Sequence, residues 1–331
     1  MKIFFWTLLL LTQLAYGGAR TCKDDALWRN MGAGVWVWTP QAQGDIGRRN
    51  QGHVLATSVI VDGGEAMVID PGPNHRHGER TLAWVRCRWQ SEVKWVINTH
   101  AHAENVLGNS AFKQKQSAGR LHIGASASTL SSMQRRCEQC LAHLQKTLGP
   151  TLMRHTRIVL PNQRLANGSV LTVGSRQLQV LLLENAHTES DTVVWDPKER
   201  MAWVGGLVYE DRVPELAQGS LEGWLTALQK LDDLQPLVII GTSVSRISPD
   251  GRQEGVIYTQ NYLQALRSSL LSVLDAGKHA GEGTEVQLPE FTVSAGYASR
   301  HGLNVQRAWR EMESVWMNQA TPEPSAPDVS R

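Results

Sequence analysis

The sequence predicts a mixed α/β chain in which two β-sheets pack face to face and are flanked by helices. Three observations carry that expectation. Strand-like and helix-like apolar patterns alternate, each half runs strands first and helices later, and histidines with metal chemistry fall in loops directly after strands.

Val35 to Trp38 is a short β-prone run. Val54 to Val61 is an apolar stretch ending at Asp62-Gly63-Gly64, and Ala66 to Ile69 resumes it, which is the pattern of a hairpin. Asp70-Pro71-Gly72-Pro73 stops the pairing. Glu79 to Trp89 then carries Leu82, Val85 and Trp89 at helical spacing, and Val93 to Ile97 is again a strand. Strand, helix, strand with a chemically loaded loop after the second strand is the pattern in which ligands gather at strand carboxyl ends. That loop runs from Thr99 to Asn109. Leu121 to Ile123 is a further short strand, and a helix from Ser126 to Leu148 is broken by Gly149-Pro150.

In the second half, Ser169 to Val173, Gln177 to Leu183, Thr192 to Trp195 and Met201 to Val204 are β-rich runs separated by turn signals. His187 lies between the second and third of these. Leu221, Leu225, Leu228 and Leu231 mark an amphipathic helix, and Leu237 to Ile240 is a strand ending at Gly241-Thr242-Ser243. Val256 to Leu274 and Val305 to Trp316 repeat at helical period, whereas Asn318 to Arg331 is rich in proline, serine and charge and is expected to be disordered.

The 331 residues are 41% hydrophobic, enough for one large domain or two small ones. The expected division is a signal over 1–19, a site-bearing domain over 34–250, a helical extension over 251–317 and a tail over 318–331. A formal net charge of +2 with interleaved signs gives no field suited to nucleic acid or an anionic membrane, so the expected partner is a small molecule or a protein. Lys2, the apolar run Ile3 to Leu11 and the small residues Ala15, Gly17, Gly18 and Ala19 follow the grammar of a secretory signal. An uncleaved anchor is the alternative, but the run falls short of the roughly 20 residues a spanning helix needs. Export, most simply to a bacterial periplasm, with no membrane span after cleavage, is the expectation.

The four cysteines, Cys22, Cys87, Cys137 and Cys140, allow three pairings in an oxidising compartment. Cys137-x-x-Cys140 lies within a helical pattern, whereas redox pairs prefer a helix start. No second CxxC completes a zinc knuckle around it. A structural disulfide is therefore expected of this pair, with partners left open.

Thr99-His100-Ala101-His102-Ala103-Glu104-Asn105 places two imidazoles two residues apart in an extended loop, where both can face one cation. Zinc accepts neutral imidazole nitrogen at about 2.0–2.1 Å, and a catalytic site uses three protein ligands. His187, in Asn185-Ala186-His187-Thr188, is the candidate for the third, provided the two halves bring their loops to one sheet edge.

This arrangement resembles the metallo-β-lactamase superfamily. Its signature Thr-His-x-His-x-Asp-His opens here as Thr99, His100 and His102, then departs at Glu104 and Asn105. Val68-Ile69-Asp70-Pro71-Gly72-Pro73 is similar to the family's Ile-Asp-x-Gly turn beneath the site, and His187-Thr188 with Asp191 to Trp195 is similar to its third motif. The resemblance spans roughly Val35 to Ser243 and implies a four-layer αββα sandwich. It implies metal ligation by His100, His102 and His187, with Asp70 and Thr99 in support. The second metal's positions align with Glu104, Asn105, Gly206 and Thr242, and neutral or hard oxygens are poor substitutes for imidazole at zinc. One zinc ion per chain is therefore expected.

Within the family, the exported quinoprotein relay system zinc metallohydrolases are the nearest in kind, given Leu107-Gly108-Asn109-Ser110-Ala111-Phe112 and the mid-helix CxxC. The implied function is a mononuclear zinc hydrolase whose zinc-bound hydroxide attacks a small ester, thioester, lactone or lactam, with Glu104 as base. A catalytically inactive member that binds a periplasmic ligand in a quinoprotein-linked pathway is the alternative. A structural partner docking through Val256 to Trp316 is a third. Trp36 and Trp38 either border the cleft or, more simply, pack in the core. His53, His75, His77, His122, His143 and His155 read as solvated or locally bonded, although His75 and His77 form a second His-x-His able to offer an auxiliary metal contact.

Overall fold

A computed structural model of the chain describes residues 21–40, 44–210, 212–216, 218–278 and 285–320. The expected signal lies outside these residues, as does the tail beyond 320. Side chains alternate across each strand, so every strand of a sandwich must be apolar on the face that meets the other sheet. The first sheet runs β1 (Trp28–Gly32), β2 (Val35–Trp38), β3 (Thr57–Asp62), β4 (Glu65–Ile69), β5 (Glu92–Ile97), β6 (His122–Ser126) and β7 (Gln163–Leu165) in that order. The second runs β13 (Val244–Ser245), β12 (Val238–Ile240), β11 (Met201–Trp203), β10 (Ser190–Asp196), β9 (Arg176–Glu184) and β8 (Val170–Val173). Val35, Val37, Met67, Ile69 and Ile97 of the first sheet meet Leu178, Val180, Val194, Trp203 and Ile240 of the second in one buried cluster.

The opposite faces are covered by helices, which completes the four layers. Val59, Ala66, Val68, Val93 and Val96 bury against Trp84 and Val85 of α1 (His75–Trp89). Val193, Trp195, Ala202 and Ile239 bury against α6 (Leu221–Asp233), α7 (Glu254–Asp275) and α8 (Tyr297–Ala320), through Trp224, Tyr262, Leu266 and Trp309. The shorter helices α2 (Ala103–Val106), α3 (Lys113–Ser117) and α5 (Pro150–Met153) and the long α4 (Ala127–Leu148) complete the first half. Asn74 and Ser126 cap α1 and α4 by accepting backbone N–H groups from His77 and Thr129. α8 starts eight residues before its apolar repeat at Val305, on polar turns whose partners lie elsewhere in the fold, and runs into the expected tail as far as Ala320.

The expected disulfide of Cys137 and Cys140 is corrected. Cys22 pairs with Cys87, tying the amino-terminal segment to α1, and Cys137 and Cys140 are free. The two thiols sit one turn apart on unbroken α4 but face different clusters: Cys137 packs with Val106 and Met133, and Cys140 lies against Leu144 and Met153. Burial pushes the Cys137 thiol up to about 12. The second His-x-His also divides. His75 Nε2 lies 3.0 Å from Glu79 Oε1, whereas His77 turns inward, its Nε2 3.0 Å from Thr57 Oγ1. Trp36 stacks edge-on against Trp84 and Trp89, and Trp38 lies 4.2 Å from His53 and 4.8 Å from His77, so Trp38 is buried in the core and the half-buried Trp36 packs against it.

Two predictions follow from this packing. The Cys22–Cys87 bond closes a loop of 65 residues' separation, and Cys87→Ser should cost on the order of 2–4 kcal/mol of stability. Reductant should lower the melting temperature of the wild type and of Cys137→Ser alike, but leave that of Cys87→Ser unmoved. His77, pushed down to about 3 by burial, stays neutral in the fold. The unfolded chain therefore takes up a proton below pH about 6.5 that the native state refuses, at about 1.4 kcal/mol per pH unit. This stability is complete above that pH and is lost on acidification. Urea titrations should show the advantage of wild type over His77→Gln shrinking between pH 6.5 and 5; a constant gap would contradict the buried neutral imidazole.

Candidate metal centre

The strand ends place the site. β4 ends at Ile69, and the next residue, Asp70, has a φ of +51° that turns the chain beneath the first motif, a conformation aspartate tolerates better than most residues. Its carboxylate accepts three hydrogen bonds: from the Thr99 N–H (2.9 Å) and the Asn105 amide (3.0 Å) at Oδ1, and from the Thr99 hydroxyl (2.7 Å) at Oδ2. Burial nonetheless pushes its carboxyl up to about 6. The Thr99 carbonyl accepts the Thr192 N–H at 2.8 Å, joining the two sheets directly behind the motif. The β9–β10 connection carries His187. Asp191 holds its shape by accepting from the Thr188 N–H at 2.8 Å and hydroxyl at 3.1 Å.

His100, His102 and His187 come together at this edge, with ring centroids 4.8–4.9 Å apart and ligand atoms within 4.8 Å of one another. Among the described residues they form the one cluster of three or more metal-type side chains. Their hydrogen bonds fix which nitrogen faces inward. The Thr99 hydroxyl donates to Asp70, so at 2.9 Å from His100 Nδ1 it accepts, leaving His100 Nε2 unprotonated. His187 Nδ1–H donates to the Glu215 carbonyl at 2.8 Å, leaving its Nε2 unprotonated. His102 Nε2–H donates to Gln218 Oε1, leaving Nδ1. The Nε2 atoms of His100 and His187 are buried with no hydrogen-bond partner among the described residues, an arrangement that fits a bound cation. Burial, reinforced by the neighbouring imidazoles, holds both rings well below the usual histidine pKa and so keeps them neutral, as zinc ligation requires.

The second-site positions do other work. Asn105 Nδ2 donates to Asp70 and to the His100 carbonyl at 3.1 Å, so both amide hydrogens are engaged. A Cβ on Gly206 would lie 2.3 Å from His187 Cδ2 and 2.4 Å from its Nε2, and one on Gly205 would lie 2.1 Å from Thr99 Oγ1. Thr242 Oγ1 donates to the Val208 carbonyl at 3.4 Å. Glu104 alone remains at the site, its Oε1 3.6 Å from His102 Nδ1.

A cleft of about 620 Å³ opens over His102 and Glu104. One wall is the α4 face of Arg136, Gln139, Cys140 and His143; the other includes Arg300 of α8. Gln218, Glu215 and the α8 wall were not legible in the sequence, because each is brought in by long-range packing without a motif. Trp224, whose ring lies 5.0 Å from His187, appears there only as one position of an amphipathic helix.

The profile of the Metallo-beta-lactamase superfamily matches residues 53–243, more than half of the chain. The chain belongs to this superfamily. A metallo-beta-lactamase from Pontibacter korlensis is similar in structure at 20% identity, with a TM-score of 0.54 over 72% of this chain and 98% of that one. A metallo-beta-lactamase from Hirschia baltica is similar at 16% identity, with a TM-score of 0.51 over 71% and 96% of the respective chains. No curated protein matches the chain. The superfamily's zinc chemistry fits the three inward nitrogens, and the four-layer architecture is that of the superfamily.

Restoring a carboxylate at the second site should therefore damage the first. Gly206→Asp must displace the His187 ring, and chelator competition should read weaker metal binding than wild type; unchanged or doubled metal content would contradict the packing described.

Proposed function

We propose that this superfamily member is an exported, mononuclear zinc hydrolase acting on a small-molecule carbonyl compound such as an ester, thioester, lactone or lactam. The observation that carries the reading is the set of three imidazoles, each with its outer N–H held by an acceptor, with the inner nitrogens of His100 and His187 free and that of His102 facing Glu104. Zinc bound there supplies Lewis-acid polarisation and lowers the pKa of a coordinated water. His100 and His187 hold their inward lone pairs in a dry pocket, both being 0% exposed. His102 stands at the boundary, part of the cleft floor. Glu104, on the first turn of α2 beside His102, is the carboxylate that takes up a proton from the attacking water at Oε1 and returns it to the leaving group. The cleft has the size of a small-molecule site rather than a polymer groove.

Export to a periplasm rests on the sequence of the first residues and is supported by the Cys22–Cys87 disulfide, which persists in an oxidising compartment. No helix among the described residues is long and apolar enough to cross a membrane.

Metal analysis of the purified protein should give about one zinc ion per chain in the wild type, and His187→Ala should give none. Glu104→Gln should retain the metal while losing roughly 10²- to 10⁴-fold in turnover on a panel of carbonyl esters, thioesters, lactones and lactams. A wild type without zinc would overturn the enzyme; full turnover in Glu104→Gln would remove this residue from the chemistry and leave the fold as a binding protein.

A further inference from the structure

The outer partners of two metal-type histidines sit on a single stretch of irregular chain. His187 Nδ1–H donates to the Glu215 carbonyl and His102 Nε2–H donates to the Gln218 side chain. This stretch, which leads into α6, has little regular structure of its own. What aims it is a polar stripe on α8.

Arg300, Asn304, Arg307 and Glu311 recur at the i, i+4, i+7, i+11 spacing of one helix face. They meet the stretch in register, turn by turn. Arg300 pairs with the Glu215 carboxylate and, at 3.1 Å, with Asp45. Asn304 accepts the Leu216 N–H at 2.9 Å and donates to the Pro214 carbonyl at 2.7 Å and to the Tyr262 hydroxyl at 2.8 Å. Arg307 donates twice to the Gly219 carbonyl, at 3.0 and 2.8 Å. Glu311 accepts from the Ser220 hydroxyl at 2.6 Å and the Leu221 N–H at 2.8 Å, fixing the start of α6. Asn304 thus clamps the peptides on both sides of Glu215, and Arg307 holds the carbonyl of Gly219, the residue after Gln218. Asn304 is 2% exposed, so its three bonds form away from competing water.

We propose that α8, which lies beyond the segment matched by the superfamily profile, is a working part of the metal centre. Asn304 and Arg307 are positioning residues. Through Pro214, Leu216 and Gly219 they fix the tautomer and aim of His187 and His102. This rests on the reading of the three histidines as the metal ligands. Loss of an outer partner of a ligating histidine weakens metal affinity by about 10- to 100-fold.

The test measures zinc affinity by chelator competition in the full chain, for Asn304→Ala, Arg307→Ala, Arg307→Lys and Met312→Ala. Met312 lies in the core cluster that α8 shares with α6 and α7, so its truncation destabilises the helix while leaving every hydrogen bond of Asn304 and Arg307 to Pro214, Leu216 and Gly219 in place. Asn304→Ala and Arg307→Ala should bind zinc about 10- to 100-fold more weakly, Arg307→Lys should recover most of the loss, and Met312→Ala should lower the melting temperature while keeping wild-type affinity. In the metal-free protein, proton NMR should show exchange-protected imidazole N–H signals of His187 and His102 that broaden in the two alanine variants.

Wild-type affinity in both alanine variants would overturn the proposal, as would an equal loss in Met312→Ala. If the wild type takes up no zinc, the metal reading fails on its own. The imidazole signals then decide the positioning claim: broadening in the alanine variants supports it, and retention overturns it.

Discussion

The buried carboxylate of Asp70 is the constraint from which the site is built. An anion taken out of water is costly unless its lone pairs are answered, and three hydrogen bonds from Thr99 and Asn105 answer them here. Because the donors are the backbone and side chain of the first motif, satisfying Asp70 also sets where His100 begins. The Thr99 hydroxyl passes the constraint on, giving its proton to Asp70 and so able only to accept from His100. Its carbonyl extends it to the second sheet through Thr192. The ends of β4, β5 and β10 are held in one frame by groups with no freedom to serve elsewhere.

The departures from the two-metal pattern are parts of that frame. Where an imidazole ligand would offer a metal a lone pair, Asn105 turns its amide hydrogens to the Asp70 carboxylate and the His100 carbonyl. Gly206 gives His187 room to lie flat against the chain. What remains among the described residues is one cluster of three imidazoles able to hold a metal ion, with one carboxylate, Glu104, beside it. Three neutral ligands leave the charge of a divalent ion undiminished, which is the electrostatic condition for activating water near neutral pH.

Much of this was legible because it is local. The hairpin of β3 and β4, the capped helix α4 and the leucine face of α6 obey short periodicities, and the spacing of His100 and His102 with the turn at Asp70 marks the metal edge. β1, β7 and β13 were not visible, since they are short or polar and owe their strand geometry to a neighbour. The pairing of Cys22 with Cys87 was hidden for the opposite reason: the two lie 65 residues apart, and only the docking of α1 against the amino-terminal segment brings them together. Gln218 and the Glu215 carbonyl were equally hidden, one an unremarkable glutamine and the other a main-chain atom, which no pattern of side chains can announce.

The position of α8 at the end of the chain has a consequence for how the molecule matures. All three metal-type histidines are synthesised by residue 187, while Asn304 and Arg307 follow more than a hundred residues later. On the role proposed for α8, a growing chain presents imidazoles whose outer partners are not yet held in place. On that same role, metal capture waits until the last helix docks, which keeps an immature chain from trapping whichever cation it meets first and makes loading a final step of folding.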